Sequence, residues 1–166
     1  MTKQEIFNQV WTHFVINEGP ASYRLDDRNV ALCLYRGCGG ARCAIGLLLS
    51  DEVLGRTSIA LTLSVEDLIR EFLHHSDADA LQELGFVKTD LVRTWTGMEN
   101  GEADCDYPTR FYEWQEFLTK LQSTHDDACD EAHSTDGELA ALTPFHKGIR
   151  ARLEMFARDE QLTLPA

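Results

Sequence analysis

The chain has 166 residues, 43% of them hydrophobic, and a formal net charge of −13. Its length predicts one domain over residues 1–166, and its hydrophobic fraction excludes global disorder. No apolar run approaches the roughly 20 residues that cross a bilayer, and the first residues show no signal-peptide pattern, so we expect a cytoplasmic protein with no membrane partner.

The first predicted element is an amphipathic helix over residues 3–17. Ile6, Val10 and Phe14 recur every fourth residue, which places them on one helix face. Glu18-Gly19-Pro20 follows and is expected to end the helix.

Residues 30–36 alternate in the way that predicts a strand, with Val30, Leu32 and Leu34 on one side. A glycine-rich turn at 37–40 precedes a second predicted strand over 42–45. Together they predict a small antiparallel β-hairpin near residues 30–45. With the loop centred on Cys38, Cys33 faces Cys43 across the ladder; other loop registers remove that pairing.

The rest of the chain is predicted to be helical. Ser64 is a candidate N-cap for one helix, and Ser76 for a shorter one ending at Gly85. A long helix is predicted from Arg110 to about Asp130, and a last helix starts at Thr143-Pro144. The expected fold class is therefore α+β, mostly α: a single helical domain carrying one small hairpin.

The five cysteines are odd in number, and we expect them to be reduced thiols. A zinc site built from Cys33, Cys43, His125 and Cys129 is conceivable, but four residues separate each hairpin cysteine from the next, and no second pair follows downstream. We favour buried thiols over a metal site, and predict neither a metal nor a cofactor.

A thiol enzyme is the main alternative. Cys43 and His125, with Cys33 nearby, have the residue types that a nucleophile and its base require. Asp126 supplies a third group, but neighbours on a helix point about 100° apart, so we expect it to orient the imidazole poorly.

Negative charge is concentrated in residues 99–136, which hold eleven acidic residues against two basic ones. A field of this sign repels nucleic acid and attracts basic protein surfaces. The alternative is that these acidic residues only form a solvated helix face and bind no partner. The candidate partner-binding residues are Glu113, Glu116, Asp127, Asp130 and Glu131.

Three pieces of the chain resemble a group of uncharacterised small proteins of bacteriophages and prophages. They are Cys33-Leu34-Tyr35-Arg36, the stretch from Cys43-Ala44-Ile45-Gly46 to Asp51-Glu52, and Leu121-Gln122 through His125-Asp126. The chain departs from that group at Ser50, where proline is expected, and in its extra Cys38. The resemblance implies a phage origin and no particular activity.

The sequence thus favours a non-enzymatic, acidic, phage-type accessory protein in the host cytoplasm. It would bind and inhibit a host protein with a basic surface, such as a nucleic-acid-handling or defence factor, by presenting carboxylates where that factor expects phosphates. It would not bind nucleic acid directly. The alternatives are a thiol- or metal-dependent enzyme centred on Cys33, Cys43 and His125, and a structural module without a ligand.

Overall fold

A computed structural model describes most of the chain, namely residues 1–25, 31–37, 40–56, 63–87, 109–136 and 142–165. The described part is predominantly helical. Its helices, in chain order, are α1 (Lys3–Trp11), α2 (Asp51–Arg56), α3 (Val65–His74), α4 (Ala78–Glu83), α5 (Thr109–Asp136) and α6 (Leu142–Asp159). None of the described helices is long and apolar enough to span a membrane.

Helix α1 begins with a capping box, in which the Thr2 hydroxyl and the Glu5 carboxylate each accept a hydrogen bond from the other residue's backbone N–H. The chain then widens into a π-helical turn, Thr12–Ile16. The two segments bury six side chains: Ile6, Phe7, Val10, Trp11, Phe14 and Val15. The predicted first helix is confirmed, and its last turn is a π-turn.

The α+β prediction with a hairpin near residues 30–45 is wrong. Ala31–Cys33 pairs antiparallel with the upstream segment Tyr23–Leu25, which puts Cys33 opposite Tyr23 and not opposite Cys43. Downstream there is one isolated bridge, between Arg36 and Arg42. No β-hairpin spans residues 30–45 in the part of the chain that the structure describes.

The physical reason lies in the segment after the bridge. Cys43, Ala44 and Ile45 are all completely buried, so the chain does not alternate between a core face and a solvent face as a strand would. It turns instead: the Leu47 N–H donates to the Cys43 carbonyl at 3.0 Å. The Arg42 guanidinium closes the turn by donating to the carbonyls of Gly46 (3.0 Å) and Leu49 (2.6 Å).

Two helix starts differ slightly from their predicted positions. Ser64 does cap α3, but α4 is capped by Asp77, whose carboxylate accepts from the Ala80 N–H at 3.1 Å. Ser76 lies before it with a positive φ of 53°. Helix α6 begins at Leu142, one residue before the predicted cap.

Helices α5 and α6 form the main pair of the fold. They run antiparallel, because Glu131 of α5 contacts Arg152 while Lys120, further toward the start of α5, contacts Glu160. Phe117 and Phe156 pack between them with ring centroids 5.5 Å apart. Another side of α5 packs against α3 and accepts a hydrogen bond from the Ile45 N–H through Gln122.

Candidate functional site

The five predicted partner-binding carboxylates lie on one exposed face of α5. Glu113, Glu116, Asp127, Asp130 and Glu131 are all exposed. At 100° per residue they fall within an arc of about 100°, whose centre lies about 130° around the helix from that of the buried stripe of Phe117, Leu121 and His125. We call these five residues the acidic face.

Basic side chains neutralise part of the acidic face. Arg152 of α6 donates to Asp127 at 3.1 Å and to Glu131 at 3.2 Å. Lys120 lies 2.8 Å from Glu116, and that hydrogen bond lowers the pKa of the Glu116 carboxyl. Glu113 and Asp130 form no ion pair with any residue that the structure describes. They are the unneutralised charges of this face.

The candidate thiol residues lie in the core. Cys43 and His125 are completely buried, and Cys129 is 3% exposed. The Cys129 Sγ lies 3.7 Å from His125 Nε2 and 3.8 Å from Nδ1. The structure therefore brings His125 to Cys129, one helical turn along α5.

The expectation that Asp126 would orient His125 poorly is wrong. The Asp126 Oδ1 lies 3.1 Å from His125 Nδ1, although the two residues are neighbours. The same oxygen accepts a hydrogen bond from Gln122 Nε2 at 2.6 Å, so the carboxylate reaches back over its own helix.

The electrostatics of the cluster disfavour a reactive thiolate. Burial raises the pKa of the Cys129 thiol far above its ordinary value, and the charges of Asp126 and Asp130 raise it further. His125 lies between Phe14 and Phe145, with ring centroids 5.2 Å and 5.7 Å away. As arranged, a substrate would have to enter the core to reach these groups.

The candidate zinc residues do not assemble among the residues that the structure describes. No group of three or more His, Cys, Asp or Glu side chains in the described part of the chain could hold a metal ion. Cys38 and Cys105, like the predicted acidic loop around 99–108, lie outside the described residues.

Sequence reasoning missed a groove between α5 and α6. It encloses about 450 Å³ and adjoins the acidic face at Asp127. Its signal in the sequence is weak, because it depends on how the two helices pair. Its lining residues are Thr119, Lys120, Ser123, Thr124, Asp127, Arg152, Met155, Phe156, Asp159 and Glu160.

Comparison with protein families, with curated proteins and with solved structures finds no match to this chain. The resemblance to small phage proteins therefore stays a prediction.

Proposed function

We propose that this protein is a non-enzymatic, phage-type accessory protein that binds a basic surface of a host protein through the acidic face of α5. The observation that supports this proposal is the placement of all five carboxylates on one exposed helix face. A nucleic-acid-handling or defence factor is the partner class, because its phosphate-binding groove would accept a row of carboxylates.

The span of the acidic face fits such a groove. Eighteen residue steps separate Glu113 from Glu131, which corresponds to about 27 Å along the helix axis. The face is rigid, since the other side of α5 is anchored in the core by Phe117, Leu118 and Leu121. A rigid row of charges steers a basic partner and holds it with little ordering cost.

The first experiment captures partners from bacterial lysate at low and high salt with the wild-type protein. A partner held by the acidic face is retained at low salt and released as salt rises, because screening shortens the field to roughly 8 Å near physiological ionic strength. Retention that is insensitive to salt would contradict the proposal.

The second experiment isolates the acidic face. The double variant Glu113→Gln/Asp130→Asn removes two charges that hold no cation in the described structure, so the fold should be unaffected. The matched control, Glu66→Gln/Asp79→Asn, removes two exposed charges from α3 and α4. We expect the first variant to slow association with the captured partner and the control to act much less. Equal effects of the two variants would show that association depends on the net charge of the protein and not on the acidic face.

A third variant tests the proposal in the opposite direction. Arg152→Gln removes the cation that neutralises Asp127 and Glu131. We expect association with a basic partner to become roughly two- to tenfold faster at low salt, at the low end of electrostatic steering. The loss of two surface ion pairs should cost the fold at most about 2 kcal/mol.

The buried cysteine cluster supports no second candidate function, because Cys43, Cys129 and His125 are closed off from solvent.

A further inference from the structure

The groove between α5 and α6 combines an apolar surface with an acidic border. Met155 is 59% exposed, although it lies beside the buried ring of Phe156. An unbranched, polarisable methionine at an open surface adapts its shape to an apolar partner side chain. The groove thus offers an apolar contact next to the acidic face.

The charges around the groove favour a cationic occupant. Five carboxylates lie in or at its edge: Glu116, Asp127, Glu131, Asp159 and Glu160. The cations there are already paired, Lys120 with Glu116 and Glu160, and Arg152 with Asp127 and Glu131. Lys3 also pairs with Glu160. Because the five carboxylates outnumber the three cations, an anionic ligand would gain little binding free energy in this groove.

The groove has the dimensions of a helix-binding site. Its α5 wall runs from Thr119 to Asp127, about 12 Å or two helical turns. Two buried polar atoms of its lining residues, Thr119 Oγ1 and Arg152 Nε, have no hydrogen-bond partner among the described residues. An amphipathic helix that lays its apolar face into a groove is a recurring mode of peptide recognition.

We infer that this groove docks a basic amphipathic helix of the partner, with an apolar side chain on Met155 and Phe156 and flanking Lys or Arg residues on Asp127, Glu131 and Asp159. The inference rests on the proposed function and adds the chemical class of the partner segment. A purely electrostatic partner would use the acidic face without the groove.

The test uses two synthetic helical peptides of equal positive charge, each about four turns long. One peptide carries leucine on the helix face next to its cationic residues, and the other peptide carries serine at the same positions. Binding to the wild-type protein is measured by fluorescence anisotropy at two salt concentrations. We expect the leucine peptide to bind at least about tenfold more tightly, in line with burial of one large apolar side chain.

Protein variants locate the contact. Met155→Gln keeps the length and helix propensity of the side chain, and we expect it to remove most of the preference for leucine. Ile16→Gln is the matched control, because Ile16 is 54% exposed and belongs to the π-helical turn. It should preserve the preference.

The outcomes separate the two proposals. Equal binding of the two peptides, or equal effects of Met155→Gln and Ile16→Gln, would overturn the groove inference while leaving the acidic face intact. Leucine-dependent binding that weakens with salt but is insensitive to Glu113→Gln/Asp130→Asn would support the groove and overturn the proposed role of the acidic face.

Discussion

The side-chain Oε1 of Gln122 accepts a hydrogen bond from the backbone N–H of Ile45 at 3.1 Å, across 77 positions of sequence. Gln122 is 6% exposed, and its Nε2 donates to Asp126, so both ends of the amide are used. One side chain therefore ties the middle of α5 to the turn at residues 43–49. That turn has little regular secondary structure of its own.

We expect Gln122→Ala to destabilise the protein by about 1–3 kcal/mol, because it leaves the buried Ile45 N–H without an acceptor. The free energy of unfolding in urea measures the loss. Gln115→Ala, on the same helix and only partly buried, is the control and should change stability by no more than about 0.5 kcal/mol. Equal losses in the two variants would show that the Ile45 contact contributes nothing.

Two glycines provide a matched pair of substitutions. Gly85 has a φ of +91°, and a β-carbon there would lie 2.5 Å from Trp114 Cζ2, whereas Gly55 in α2 has nothing within 4 Å. Gly85→Ala should cost about 1–3 kcal/mol through backbone strain. Gly55→Ala should add about 0.5–1 kcal/mol, since alanine favours the helix. A higher melting temperature for Gly85→Ala than for Gly55→Ala would contradict the local structure described for both glycines.

Stability should fall as the pH drops below about 6.5, the ordinary pKa of histidine. Burial lowers the pKa of His13, and the nearby His125 and Arg42 lower it further. The unfolded chain therefore takes up the proton first, which favours unfolding. The pKa values of the Glu5 and Glu116 carboxyls are lowered from 4.5, so their effects begin at lower pH.

Urea unfolding between about pH 7.5 and pH 5 measures this loss. His13→Gln should flatten the curve in that window. A curve that is unchanged by the substitution would assign the pH dependence to other groups.

The buried thiols should be unreactive in the native protein. In a variant with Cys33, Cys38 and Cys105 changed to serine, only Cys43 and Cys129 remain, and both are buried. We expect a water-soluble disulfide reagent to label them at least about 100-fold more slowly than in urea, because burial raises the Cys129 pKa and blocks access. Native labelling at the unfolded rate would indicate an open, reactive site and revive the enzyme alternative.

The helices were predictable because their signals are local. The spacing of Ile6, Val10 and Phe14 and the cap at Ser64 depend only on neighbours in sequence, and the structure contains both features. The exposure of the acidic face followed from the same periodicity.

The failures depend on long-range contacts or on side-chain rotamers, which local sequence patterns do not specify. Alternation over 30–36 identified an extended segment, but nothing local shows that Ala31–Cys33 pairs upstream with Tyr23–Leu25. The contact of Asp126 with His125 depends on a side-chain rotamer and on the amide of Gln122. The α5–α6 groove arises only after the two helices pair, so no single segment encodes it.

The π-helical turn at Thr12–Ile16 has a consequence for how this chain can vary. A π-turn holds one residue more than an α-turn, and here it is the last turn of the helix: the Asn17 N–H donates to the Thr12 carbonyl, five positions back, at 2.9 Å. Phe14 and Val15 lie within this turn, and both are buried in the core. A relative that ends this helix with a regular α-turn would align with this chain by a one-residue gap between positions 12 and 16. Deleting one residue within the turn would let it close as an α-turn, but Phe14 and Val15 would have to repack.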